Sequence, residues 1–382
     1  MLKAPTKMSE AVRISACLIT RNEQRLLPSC LQSLQGFVDE VVVVDTGSVD
    51  RTVEIAKDFG CIVLHRAWDG DFSAPRNLGL DKAKGDWILY IDADEELRVD
   101  QPLGALLSSS DNAAAARIKF HVHSERTPYA EHRLFRNDPR IRFKCVIHES
   151  VLPGILRVCG EDDRRMVDLF EVALIHHGYE GDQTHKHHRN LPILEEAILA
   201  DPNRVYLRLH LGTILSDLEQ PEAAAIQFRT GMDLAERPGV SSQMIVEGSL
   251  CAHGLCRVLA PQGDWNAVLK AADRGLRQHP GNLALHWTRA RALSELGDAA
   301  GARKILMSQI AEDADTFFDP SLAYHKSLFG EDRFAFLAAL SFEEGAFKEA
   351  AKWFDQAAKA SSMKQEYVVK STLARSRIKV ES

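Results

Sequence analysis

Four apolar runs punctuate the start of the chain: Ile14 to Thr20, Val41 to Val44, Ile62 to Leu64 and Trp87 to Ile91. Stretches with helical signals separate them. Arg25 to Leu34 has helical apolar spacing, Arg51 to Phe59 follows a capping Asp50 and stops at Gly60, and a third helix falls around Ser73 to Lys82. Val41-Val42-Val43-Val44 is β-branched with no polar alternate, the pattern of a strand buried on both faces. Such alternation predicts an α/β domain with a largely parallel sheet and right-handed crossovers. Ligands bind these sheets outside the carboxyl ends of the strands. Thr20 to Glu23, Asp45 to Ser48 and Asp92 to Glu95 fall there and are expected to line one crevice.

The last of these loops carries Asp92-Ala93-Asp94. Residues i and i+2 of an extended segment project to the same side, so both carboxylates are expected to face one divalent cation. Magnesium and manganese take oxygen ligands and bind through one or two carboxylates plus substrate phosphates. A solvated acidic turn, continued by Glu95 and Glu96, is the alternative.

Composition excludes several function classes. Over 382 residues, 47 basic side chains meet 54 acidic ones, so the basic excess of a nucleic-acid binder is missing. No stretch approaches membrane-spanning length without charges, and the expected location is cytoplasmic. The seven cysteines are scattered, without paired metal-ligand spacing, and read as reduced core residues. Neither a Gly-x-Gly-x-x-Gly dinucleotide loop nor a Gly-x-x-x-x-Gly-Lys-Ser/Thr phosphate loop occurs.

From about Asn190 the strand signals fade and paired helices take over, with turns near Gln220, Gly263, Gly297 and Gly345. Gly263 and Gly297 lie 34 residues apart, the tetratricopeptide period. Inserts at Arg237 to Gly248 and Asp313 to Asp332 lengthen the other spacings and are expected to form loops or extra helical turns. The predicted division is an N-terminal tail 1–12, an α/β domain 13–190 and an all-α tetratricopeptide-like repeat domain 191–382.

Several motifs of the first half then converge: "LITRNEQRLL", "VVVVDTGSVDRT", "DFSAPRNLGL", "WILYIDADEEL", "EHRLFRN", "IHES" and "IHHGYEGDQTHK". Together they resemble glycosyltransferase family 2 enzymes, with the Rossmann-like, mostly parallel GT-A fold. Within that family they are most similar to the branch with tetratricopeptide repeats behind the catalytic domain. That branch includes relatives of lipopolysaccharide-core glucosyltransferases and of bacteriocin peptide S-glycosyltransferases.

The resemblance implies roles for particular residues. Thr20, Arg21, Asn22 and Glu23 match the loop that holds the nucleotide base and ribose, and Asp45 the carboxylate that hydrogen-bonds uracil or its ribose. On its residues alone, Asp45 also reads as a turn former ahead of Thr46-Gly47-Ser48. Arg76 matches a basic residue near the donor diphosphate, its alternative being a surface charge paired with Asp71 or Asp81. Asp94 is implied as the main metal ligand, with Asp92 and Ala93 on the donor side and Asp92 reaching ribose or metal. His176, with His177 adjacent, matches the late histidine completing the metal site. Glu149 falls where the family places its catalytic base, though His148-Glu149 replaces the usual Glu-Asp pair, and His148 is left open as base or orienting group. Arg133 and Arg136 are implied on the acceptor side, where Tyr129 and Trp68 either stack on sugar or simply pack. His185, His187 and His188 read as a polar helix start.

The function implied is a metal-dependent inverting transfer of a hexose from a nucleotide sugar, UDP-linked, to a protein, peptide or saccharide acceptor, with Mn2+ or Mg2+ as cofactor. The repeats suit acceptor recognition or a homodimer. A peripheral position at the inner membrane stays open. The competing class is a non-catalytic tetratricopeptide scaffold with a degenerate nucleotide-sugar domain.

Overall fold

The computed structural model describes residues 12–110, 112–178 and 184–381. The expected tail lies outside them up to residue 11, as does the side chain of His185. Two compact units form, Met1–His123 with Pro128–Gly181, and Ser124–Thr127 with Asp182–Ser382. The boundary read at 190 falls inside a helix, Thr184–Ala200.

In the first unit, β1 (Ile14–Thr20), β2 (Glu40–Asp45), β3 (Ile62–His65) and β4 (Trp87–Tyr90) pair in parallel, with α1 (Leu27–Leu34), α2 (Thr52–Asp58) and α3 (Ser73–Lys82) as crossovers. Gly60 has φ 78, the left-handed conformation expected after α2. Alternate residues of the strands feed two separate cores. Val43, Trp87 and Leu89 pack with Leu27, Leu31 and Leu34 of α1 on one face. Val42 and Ile88 pack with Leu80 of α3 on the other. Each fully buried aliphatic of this kind contributes about 1.5–3 kcal/mol.

Four further strands make the sheet mixed. They are β5 (Glu95–Val99), β6 (Ala113–His121), β7 (Tyr129–Arg136) and β8 (Arg165–His176), with α4 (Leu103–Ser108) and α5 (Leu152–Glu161) between them. The order is β3-β2-β1-β4-β7-β6-β8-β5, with β7 antiparallel to both β4 and β6. Charged residues interrupt these strands, as in Tyr129-Ala130-Glu131-His132-Arg133, which hides them from an apolar-run reading. That interruption serves the site described below.

The second unit is helical: α6 (Thr184–Ala200), then the pairs α7 (Val205–Asp217) with α8 (Pro221–Ala235), α9 (Ser242–Leu259) with α10 (Trp265–Gln278), α11 (Leu283–Glu295) with α12 (Ala299–Ser308), and α13 (Glu331–Glu343) with α14 (Phe347–Ala360), closed by α15 (Lys364–Glu381). The Asp264 and Asp298 carboxylates cap the second helices of two pairs, accepting from the Ala267 N–H at 3.0 Å and the Gly301 N–H at 2.8 Å. The first insert is largely absorbed by the start of α9. The second folds as a loop around Leu322, Tyr324 and Phe329.

Three pairs turn on a left-handed glycine, Gly263 (φ 74), Gly297 (φ 90) and Gly345 (φ 76). The first pair turns on Glu219 at φ 59, where a side chain crowds the backbone. Glu219→Gly is therefore expected to stabilise the protein by up to about 1 kcal/mol, read as a raised denaturation midpoint. A lowered midpoint would show that this turn is not left-handed in solution.

Candidate active site at the carboxyl ends of the parallel strands

The pairing of β1 with β2 sets Thr20 beside Asp45. Beyond them the two loops are stitched together. The Thr46 N–H donates to the Thr20 carbonyl at 2.9 Å, the Asn22 N–H to Ser48 Oγ at 2.9 Å and the Val49 N–H to Asn22 Oδ1 at 2.9 Å. The Glu23 N–H donates to Thr52 Oγ1 at 2.7 Å. Asn22 adopts φ 59 to make its two bonds, and Arg21 is exposed at the rim. Asp45 does form the local turn, accepting from the Gly47 N–H at 3.1 Å and the Ser48 N–H at 3.2 Å, with His65 Nδ1 3.5 Å away. Thr20 is buried, and its Oγ1 has no hydrogen-bond partner among the described residues.

Asp92 to Asp94 is a turn, not an extended segment. The Glu95 N–H donates to the Asp92 carbonyl at 3.0 Å and the Asp92 N–H to Glu95 Oε2 at 2.9 Å. The extended geometry expected of i and i+2 is therefore replaced by a bend at the buried Ala93, and the two carboxylates meet different partners. Asp92 faces Arg76 Nη2 at 2.8 Å and Arg133 Nη1 at 3.8 Å. Asp94 faces His176 Nε2 at 3.3 Å. His176 arrives there because β8 pairs antiparallel with β5, which sets it opposite Glu95. A Cβ on Gly178 would lie 1.9 Å from Asp94 Oδ2 and 3.0 Å from His176 Nε2, so any larger residue would displace the Asp94 carboxylate. His177 turns to Glu96 instead, at 3.5 Å. A recess of about 320 Å³ opens here, lined by Arg25, Ser29, Asp94, Glu96 and His177. Among the described residues no three His, Cys, Asp or Glu side chains are gathered as a metal cage.

Two buried guanidiniums organise the acidic groups. Arg76 pairs with neither Asp71 nor Asp81. Its Nε reaches Glu149 Oε1 at 2.6 Å while Nη2 holds Asp92. Arg133 Nη2 reaches Glu95 Oε1 at 2.9 Å and its Nε reaches Glu131 Oε2 at 2.6 Å. The Tyr90 ring lies 5.3 Å from the Arg76 guanidinium carbon and 4.4 Å from that of Arg133. The Tyr129 hydroxyl donates to Glu131 and its ring packs on Phe120, so Tyr129 belongs to this network. Burial opposes the charge on Asp92, and the guanidiniums of Arg76 and Arg133 nonetheless hold its carboxyl below the usual range. For Glu95, burial outweighs the pull of Arg133 and, with the charge of Asp92, pushes the carboxyl up to about 7.

Helix α3 also fixes the loop that carries Glu149. Asn77 grips both sides of the Phe143 peptide groups, its Oδ1 accepting from the N–H at 2.8 Å and its Nδ2 donating to the carbonyl at 2.9 Å. Ser73 Oγ donates to the Cys145 carbonyl at 2.6 Å. Cys145 (φ 79) and half-buried His148 (φ 51) are both left-handed. Arg136 is not part of the cluster. Its register partner is Trp87, at the amino end of β4, and its guanidinium lies 4.6 Å from that ring. Trp68 packs against Phe72, and His187 faces Asp217 at 3.8 Å.

Sequence reading did not single out Tyr90, Glu95, Glu131, Asn77 or Gly178. Glu95 had a signal: it alternates with Leu97 on the buried face of β5. Asn77 and Gly178 act through the backbone and left none.

Residues 15–156 match the family model described as glycosyl transferase family 2, and residues 259–323 match a tetratricopeptide repeat model. A tetratricopeptide repeat-containing protein of Synechococcus elongatus is 32% identical over 274 residues, 70% of this chain and 66% of its own length. The prophage-derived glycosyltransferase SunS of Bacillus subtilis is 26% identical over 244 residues, 58% of this chain and 54% of its own. An uncharacterized glycosyltransferase of Rickettsia bellii is 42% identical over 92 residues, 24% of this chain and 31% of its own. The chain thus spans just under two thirds of the first of these relatives and about half of the second. Residues 15–156 are a glycosyltransferase family 2 domain, followed in the same chain by tetratricopeptide repeats.

Proposed function

We propose that this chain is a metal-dependent inverting glycosyltransferase that moves a hexose from a UDP-sugar to a protein, peptide or saccharide acceptor. The charge of the cluster carries this reading. Asp92, Glu95, Glu131 and Glu149 gather about Arg76 and Arg133, an excess of two negative charges, or one when Glu95 holds a proton, and Asp94 stands against His176 beside them. A focused field of that sign repels a diphosphate, so the donor must enter with a cation.

The residues present fit such an ion. Asp94 and His176 offer a carboxylate and an imidazole, a donor set that suits manganese, while magnesium would rely on Asp94. Diphosphate oxygens and water would complete the shell. When bound, the cation would neutralise charge gathering on the departing diphosphate.

The other roles follow from the chemistry of each side chain. Arg76 offers N–H donors to the diphosphate oxygens, and Asp92 and Ala93 border the donor. The 20–23 loop with Asp45 takes the base and ribose, since Asp45 Oδ1, which takes the Ser48 N–H, keeps capacity to accept a further bond. A buried hydroxyl without a partner costs about 1–3 kcal/mol, which a ligand bond to Thr20 Oγ1 would offset. Glu149 is the base and His148 orients it. The acceptor heteroatom attacks the anomeric carbon opposite the diphosphate and its proton passes to Glu149. The carbon–oxygen bond breaks with its electron pair leaving on UDP, which inverts the centre. Arg133 and Tyr129 border the acceptor through Glu131, and Arg136 is left out. The repeats hold the acceptor or a second copy of the chain. No helix among the described residues is long and apolar enough to cross a membrane, and the reading places the reaction in the cytoplasm or at the inner membrane's surface.

Titration calorimetry of UDP, GDP and their sugar conjugates, with and without Mn2+, tests the assignment. Manganese-dependent binding of UDP is expected, at least about tenfold weaker in Asp94→Ala, a difference of about 1.4 kcal/mol. Binding of no nucleotide would leave the scaffold reading.

Burial alone would depress the His176 imidazolium, but the Asp94 hydrogen bond and the charges of Asp94, Glu95 and Asp92 outweigh it and raise the group above 6.5. In metal-free protein the stability this pair adds is full below the ordinary histidine range and is lost as pH rises through the raised value. Asp94→Asn is expected to drop the His176 pKa, read by NMR titration of the imidazole. An unmoved titration would mean that the pair does not form.

A further inference from the structure

The guanidinium assigned to the donor diphosphate is already committed in the free chain. Arg76 Nε lies 2.6 Å from Glu149 Oε1, and Nη2 lies 2.8 Å from Asp92 Oδ1. Its guanidinium carbon lies over the Tyr90 and Phe143 rings, 5.3 Å and 5.4 Å from their centres. Both partners of the 2.6 Å contact are largely withdrawn from water, Arg76 at 9% and Glu149 at 12% exposure. A carboxylate held this way has lone pairs directed at a cation.

We propose that Arg76 is a positioning residue that couples donor occupancy to the base: without donor it sequesters Glu149, and the diphosphate draws the guanidinium off Glu149 and frees that carboxylate to face the acceptor. The proposal rests on the donor and base assignments made above. Asp92 makes the exchange a pivot, because Nη2 stays anchored while Nε changes partner. Phe143 and Cys145 are pinned to α3, the Val146 carbonyl accepts from the Phe72 N–H at 2.8 Å, and Lys144 and Ser150 bridge each other at 3.1 Å, so the loop backbone is held and the exchange falls to the side chains of Arg76 and Glu149. The donor would then bind before the acceptor.

The coupling has a signature that an ordinary structural ion pair lacks. Removing the carboxylate that competes for Arg76 should improve nucleotide binding while abolishing transfer. Calorimetry of UDP with Mn2+ is run on the full-length protein, on Glu149→Gln and Glu149→Asp, and on Arg76→Gln alone and with Glu149→Gln. Expected are affinities about tenfold tighter for both single Glu149 variants, and no gain from Glu149→Gln in the Arg76→Gln background. Thermal denaturation confirms that each variant is folded. Unchanged or weaker binding in folded Glu149→Gln and Glu149→Asp overturns the coupling while leaving the donor site intact. Failure of the unmodified chain to bind any nucleotide overturns the donor assignment, and the coupling with it.

Discussion

The site depends on two guanidiniums buried among carboxylates. Burying a charge is strongly unfavourable unless partners surround it, and removing one partner of such a pair typically costs about 3–5 kcal/mol. Arg76 and Arg133 meet that requirement with Asp92, Glu149, Glu95 and Glu131, and the Tyr90 ring lies near both guanidiniums. The carboxylates come from three parts of the chain: the turn after β4 holds Asp92 and Glu95, β7 holds Glu131 and the loop after β7 holds Glu149. The charge network therefore ties these three segments to one another and, through Arg76, to α3.

Sheet register explains why these segments meet. Parallel pairing of β1 with β2 and β4 brings Thr20, Asp45 and Asp92 to one end, and antiparallel β7 returns Arg133 and Glu131 to that end. The same antiparallel register carries Arg136 three residues away to the opposite end, beside Trp87. One strand thus supplies both a site residue and a remote one. The β5–β8 pair does similar work for His176, and Gly178 allows the chain to pass close to Asp94.

The parallel half of the sheet was legible in the sequence because β1 to β4 are continuous apolar runs. The antiparallel half was not, because Glu131, Arg133 and Glu95 occupy strand positions where an apolar pattern would be sought. The repeats were legible from the glycine turns, except where Glu219 holds the left-handed position by itself. At the site, motif resemblance pointed to Arg76, Asp94, Glu149 and His176, whereas geometry had to come from the fold. Asp92-Ala93-Asp94 looked like the end of a strand, and hydrogen bonds between Asp92 and Glu95 make it a turn that sends the two carboxylates to different partners. The pairing of Arg76 with Glu149 spans 73 residues, and no local pattern announces it.

The central claim is a single in-line displacement at a metal-bound nucleotide sugar. It is tested most directly by proton NMR of the sugar released to water from a UDP-α-hexose with Mn2+ and no acceptor. Early spectra should contain the β anomer first, before mutarotation mixes the two forms, and release should require the metal. Initial release of the α anomer, or hydrolysis indifferent to manganese, would contradict the account.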